Sequence, residues 1–173
     1  MDYIIIGTDH PLQKSDAADT RLKDLLQSLI QSHSVVLIAE EVETSNDGIH
    51  FFGRELIGED KWLSIDMDKE KRRDAGFYDI PCEEGPGDDN ISPVNRYHAK
   101  KEAIREDFWI HNIAAWCEQH QLSAGTVVVT CGHNHMRAGF LSEKLTQLGH
   151  KVSTLECMNY DVDAKFGAFT ICP

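Results

Sequence analysis

Apolar residues along this chain follow two rhythms. Unbroken runs at residues 3–6 (YIII), 34–41 (SVVLIAEE) and 126–131 (TVVVTC) predict strands buried on both faces. Residues 61–68 (KWLSIDMD), 151–156 (KVSTLE) and 166–172 (FGAFTIC) predict further strands. Between them the spacing changes. Leu22, Leu25, Leu26, Leu29 and Ile30 fall at i, i+3, i+4, i+7 and i+8, one face of a helix over 20–33, with Asp19 or Thr20 as the N-cap. Ala103, Ile110, Ile113, Ala114 and Cys117 mark a long helix over 98–120. Leu141, Leu145 and Leu148 mark a short one over 138–148 that ends at Gly149.

Strand and helix alternate in this order, which predicts an α/β fold: a mostly parallel central sheet flanked by helices, with the site at the carboxyl ends of the strands. The length of 173 residues suits a single domain, 1–173. Within it, Asn46-Asp47-Gly48 reads as a turn, KEKRRD (69–74) as a basic helical turn, and the proline-rich stretch 76–97 as a loop or lid.

The residues that follow each strand carry the chemistry. Gly7, Asp9 and His10 follow the first and Glu40-Glu41 the second. Asp66 and Asp68 end the third, Gly132, His133 and His135 follow the fourth, and Glu156 ends the fifth. Two strands thus close on the same G-x-x-H phrase, GTDH and GHNH. Imidazoles and carboxylates gathered on one rim are the donor set of a divalent metal such as Mn, Co or Zn, and a bound metal would generate a nucleophilic water. His10, Glu40, Asp66 and His135 are the expected ligands. Glu41, Arg105 and His133 are the expected catalytic groups, Arg105 facing developing negative charge. Glu40 is preferred to Glu41 as ligand because it comes first off the strand. Arg105 also lies on a helical stripe with Trp109, Asn112 and Trp116, which packing alone explains equally well. Cys131 reads as a small hydrophobe beside the site.

Charge and cysteine usage narrow the class. A formal charge of −12 argues against nucleic acid and anionic lipid as partners. No stretch approaches the ~18 apolar residues of a membrane helix. Five cysteines without a C-x-x-C pair, and no secretion signal, predict reduced thiols and a cytoplasmic protein. No nucleophile elbow, phosphate loop or dinucleotide fingerprint occurs.

GTDH (7–10), LIAEE (37–41), IREDFW (104–109) and GHNH (132–135) resemble, in content and order, the TraB/Tiki superfamily with its erythromycin esterase-like and ChaN-like relatives. The resemblance implies an α/β fold with His10, His135 and Glu40 or Glu41 in the site and Arg105 in support. Tiki-type members are metal-dependent peptidases, esterase-type members use histidine and glutamate without an obligatory metal, and ChaN-like members bind haem. The expected function is accordingly a hydrolase, metal-dependent by preference, acting on a small molecule or peptide. The alternative is a non-catalytic metal- or haem-binding module. The sequence leaves the oligomeric state open.

Overall fold

The unbroken apolar runs become the inner strands of the sheet. The computed structural model of the chain describes residues 1–42, 50–80, 93–137 and 140–158. Among these residues five strands form: β1 (Asp2–Thr8), β2 (Val35–Glu40), β3 (Trp62–Ser64), β4 (Thr126–Gly132) and β5 (Lys151–Cys157). They form one all-parallel sheet in the order β3-β2-β4-β1-β5. The expected α/β architecture is therefore present, with helices on both faces.

Side chains alternate along each strand, so each face has its own core. On one face Ile4, Ile6, Ile38 and Val128 meet Leu22, Leu26 and Leu29 of α1 (Arg21–Ser32) and Phe52 of α2 (Phe52–Ile57). On the other, Tyr3, Ile5, Leu37, Ala39, Val127 and Val129 meet Trp109, Ile113 and Cys117 of α4 (Pro93–Gln119). Leu141 and Leu145 of α6 (Phe140–Gln147) join that second core. Two short helices complete the set: α3 (Lys69–Asp74), capped by the Asp68 carboxylate on the Lys71 N–H, and α5 (Asn134–Arg137). No helix among the described residues is long and apolar enough to cross a membrane.

Several boundaries differ from the pattern's expectation. The third strand pairs only over Trp62–Ser64; Ile65 still donates to the Glu40 carbonyl at 2.9 Å before the chain turns away. α4 begins at Pro93, inside the stretch read as a loop, since proline at a first helical position loses no hydrogen bond. α2 has six residues, too few for a helical period to show. Asn46-Asp47-Gly48, most of the 76–97 lid and the strand over 166–172 lie outside the described residues.

Candidate functional site

The strand order creates a crevice between β1 and β4. From β1 the chain leaves toward α1 on one face; from β4 it leaves toward α6 on the other. Adjacent parallel strands whose connections part in this way open a cleft beyond their carboxyl ends, where ligands of such sheets bind. The two G-x-x-H phrases stand on either side of it. They come close enough that a Cβ on Gly132 would lie 3.1 Å from His10 Nε2.

His10 opens a single turn of 3-10 helix, His10–Gln13, with Pro11 fixing its start. Residues three apart eclipse in that geometry, and His10 Nδ1 meets Gln13 Oε1 at 3.0 Å. The imidazole is otherwise open, with 56% of its side chain exposed. Its Nε2 lies 3.8 Å from Glu41 Oε1.

Glu41 is the hub of the rim. It continues the alternation of Leu37 and Ala39, so its carboxylate falls on the α4 face. One oxygen, Oε2, accepts the Gly132 N–H at 2.6 Å. The other, Oε1, meets Arg105 of α4 in a close ion pair and lies 3.5 Å from His135 Nε2. Burial works against its charge, but the His135 bond and the Arg105 guanidinium outweigh it and hold the carboxyl down at about 2. Glu41 is a fixed anion, too weak a base to take a proton from water.

His135 is the opposite kind of histidine. It is buried against the Trp109 ring, centroids 4.4 Å apart. Its Nδ1 faces Glu106 Oε1 at 3.0 Å and its Nε2 faces Glu102 Oε2 at 3.1 Å. Burial opposes protonation, yet the bonds to Glu102, Glu106 and Glu41 prevail and raise it to about 11. It is an imidazolium at neutral pH. Two histidines delivered by one phrase thus meet different surroundings, one open at the rim and one buried among carboxylates.

Arg105 completes the cluster. Beyond Glu41 it grips Asp66 through Nε at 3.0 Å and through a terminal nitrogen at 2.9 Å, and Glu102 at 2.7 Å. Asp66 also takes Arg72 at 2.7 Å. Burial disfavours the Arg105 charge, but Glu41 and Asp66 push its pKa further up.

The expected site residues therefore divide. His10, Glu41, Asp66, Arg105 and His135 come together. Glu40 does not: it shares the alternation of Ile38, so its carboxyl lies buried on the α1 face, where Trp62 Nε1 donates at 2.5 Å and Thr130 Oγ1 at 3.2 Å. Burial pushes it up to about 7, partly offset by those two bonds. His133 is turned toward the β5 edge, its Nδ1 3.8 Å from Glu156 Oε1. Cys131 is fully buried, and burial with nearby carboxylates raises its thiol well above the usual range.

A divalent metal, which these donor types suggested, meets two obstacles. Both ring nitrogens of His135 are already engaged by carboxylates, Nδ1 by Glu106 at 3.0 Å and Nε2 by Glu102 at 3.1 Å. The Arg105 guanidinium already stands among Glu41, Asp66 and Glu102 as the cluster's own cation. Among the described residues no group of three or more His, Cys, Asp and Glu is arranged to hold a metal ion. In this arrangement a metal would have to displace the Arg105 guanidinium and the carboxylate contacts of His135.

Four further residues belong to the site. Glu102 and Glu106 flank Arg105 at i−3 and i+1 on the buried stripe that leads to Trp109, and acids on the buried side of a helix are the signal that marks them. Gln13 and Thr130, both buried, have no comparable mark in the sequence. No family model, no curated protein and no solved structure matches the chain.

Proposed function

We propose that the chain is a hydrolase that cleaves an ester or amide bond in a small molecule or peptide, with His10 as general base and no metal in the reaction. One observation carries this reading: the open imidazole of His10 presents Nε2 to an immobilised, ionised Glu41 at 3.8 Å, at the switch point of a parallel sheet. That spacing suits one bridging water. Such a water donates one hydrogen to His10 Nε2 and the other to Glu41 Oε1, which turns a lone pair toward a bound carbonyl. As its oxygen bonds to the carbonyl carbon, His10 takes its proton and the carbonyl electron pair moves onto oxygen; when the tetrahedral intermediate collapses, the C–O or C–N bond breaks and the imidazolium, stabilised until then by the fixed anion of Glu41, gives that proton to the leaving alcohol or amine. Arg105 and His135 keep Glu41 ionised and in place.

The resemblance to the TraB/Tiki superfamily supports the same reading, through its esterase-type branch that uses histidine and glutamate. The reading also places the chain in the cytoplasm, in keeping with the free, buried Cys117, Cys131 and Cys157, and excludes nucleic acid as partner, in keeping with the charge of −12.

The test is turnover of a panel of ester and peptide substrates by protein dialysed against a chelator, before and after adding Mn, Co or Zn. Turnover in the chelated protein supports the reading. Turnover only after metal is added overturns its metal-free form. No turnover, with a Soret band on haem titration, would favour the binding module.

A further inference from the structure

We infer that Gln13, Thr130 and Glu40 form a hydrogen-bonded relay that fixes His10 as the Nδ1–H tautomer, leaving Nε2 as the proton acceptor, so that Gln13 is a positioning residue. Its use in catalysis rests on the hydrolase reading; the tautomer itself does not.

The relay runs up the α1 face of the sheet to the rim. Glu40 and Thr130 are register partners on β2 and β4. Thr130 Oγ1 donates to Glu40 Oε1 at 3.2 Å, so that hydroxyl's hydrogen is spent. Gln13 Nε2 donates to the same Oγ1 at 3.0 Å and approaches the Thr130 carbonyl oxygen at 3.4 Å. Glu40, Thr130 and Gln13 are all buried, with no water-facing alternative for their polar groups.

One group breaks the symmetry of the Gln13 amide. A carbonyl oxygen only accepts. Turning the amide over would set its oxygen against the Thr130 carbonyl and against a hydroxyl already donating elsewhere. The NH2 must therefore face Thr130, and Oε1 must face His10. An oxygen 3.0 Å from Nδ1 requires a proton on that nitrogen. In a neutral ring the lone pair then sits on Nε2, the nitrogen that faces Glu41. Free imidazole side chains favour the other tautomer, so the relay works against an intrinsic preference. It plays the part that a buried carboxylate plays for the histidine of a catalytic triad, but with an uncharged amide next to the ring. Glu40, close in sequence to the site and absent from the rim, thereby acquires a role.

The experiment is nitrogen NMR of the full chain labelled with 15N-histidine, at a pH where His10 is neutral, with His10→Ala to assign its signals. The expected result is Nδ1 in the protonated range and Nε2 in the unprotonated range. Gln13→Leu should exchange the two, making Nε2–H the major form. Thr130→Val should move the populations the same way, and Thr130→Ser should retain the wild-type pattern. If Gln13→Leu fails to fold, the two Thr130 variants carry the comparison. Wild-type protein with Nε2–H as the major tautomer overturns the inference, as does an unchanged tautomer in folded Gln13→Leu. No substrate enters the measurement: the expected tautomer in a protein that hydrolyses nothing would sink the hydrolase reading alone.

Discussion

Glu40 and Glu41 are consecutive in the chain and point to opposite faces of the sheet. Glu40 lies among Thr130, Trp62 and the α1-side core; Glu41 lies among Arg105, His135 and Gly132. The same residue type is held near 7 in one place and near 2 in the other. Glutamine substitutions should separate them. Glu41→Gln removes one partner of a buried ion pair and should cost about 3–5 kcal/mol. Glu40 has its folded-state pKa raised above the unfolded value of 4.5, so its contribution is full below that value and is lost as pH rises through about 7. Glu40→Gln should therefore gain on wild type across that window, by on the order of 3 kcal/mol at most. Urea denaturation of both variants at pH 5 and pH 8 checks the opposite signs.

His135 gives a second pH signature. Its folded-state pKa is raised from 6.5 to about 11, so the stability it supplies is complete below 6.5 and disappears as pH rises through about 11. Wild type should lose melting temperature steadily from pH 7 to pH 10. His135→Gln should start lower and show a shallower decline. A wild-type melting temperature that is flat over that range would show that the imidazole is not held protonated.

Gly132 should be a test of space rather than of chemistry. A methyl group there would stand 3.1 Å from His10 Nε2 and 3.4 Å from Glu41 Oε2, beside the slot assigned to the attacking water. Gly132→Ala should lower kcat on the order of 100-fold, the scale of a misplaced reacting group, while its melting temperature falls by only a few degrees. A variant with wild-type kcat would remove the slot from the mechanism.

Much of the architecture is legible from local patterns. The stripe Leu22, Leu26 and Leu29 reads as a buried helix face because nothing polar interrupts it, and all three residues are buried. Runs such as VVV read as inner strands for the same reason. The strand order is not legible, because pairing β4 between β2 and β1 depends on contacts across most of the chain. The two G-x-x-H phrases lead to His10 and His135, since glycine and histidine after a strand are visible as a pattern. What the phrase does not carry is each ring's neighbours. His135 owes its charge to Glu102 and Glu106 on α4, and His10 faces Gln13 on its own turn. The alternation along VVLIAEE does contain the difference between Glu40 and Glu41, once α4 is known to cover the face of Leu37 and Ala39. Order off the strand alone favours the other glutamate.

The proposed hydrolysis turns on His10 as the base. The decisive measurement is the activity of His10→Ala on whichever substrate the wild type turns over, assayed in chelator with and without added imidazole. The expected result is a loss of roughly 10²–10⁴-fold, the usual worth of general base catalysis, and recovery that rises with imidazole concentration as the small molecule fills the vacated space beside Glu41. Wild-type turnover by His10→Ala without imidazole would contradict it.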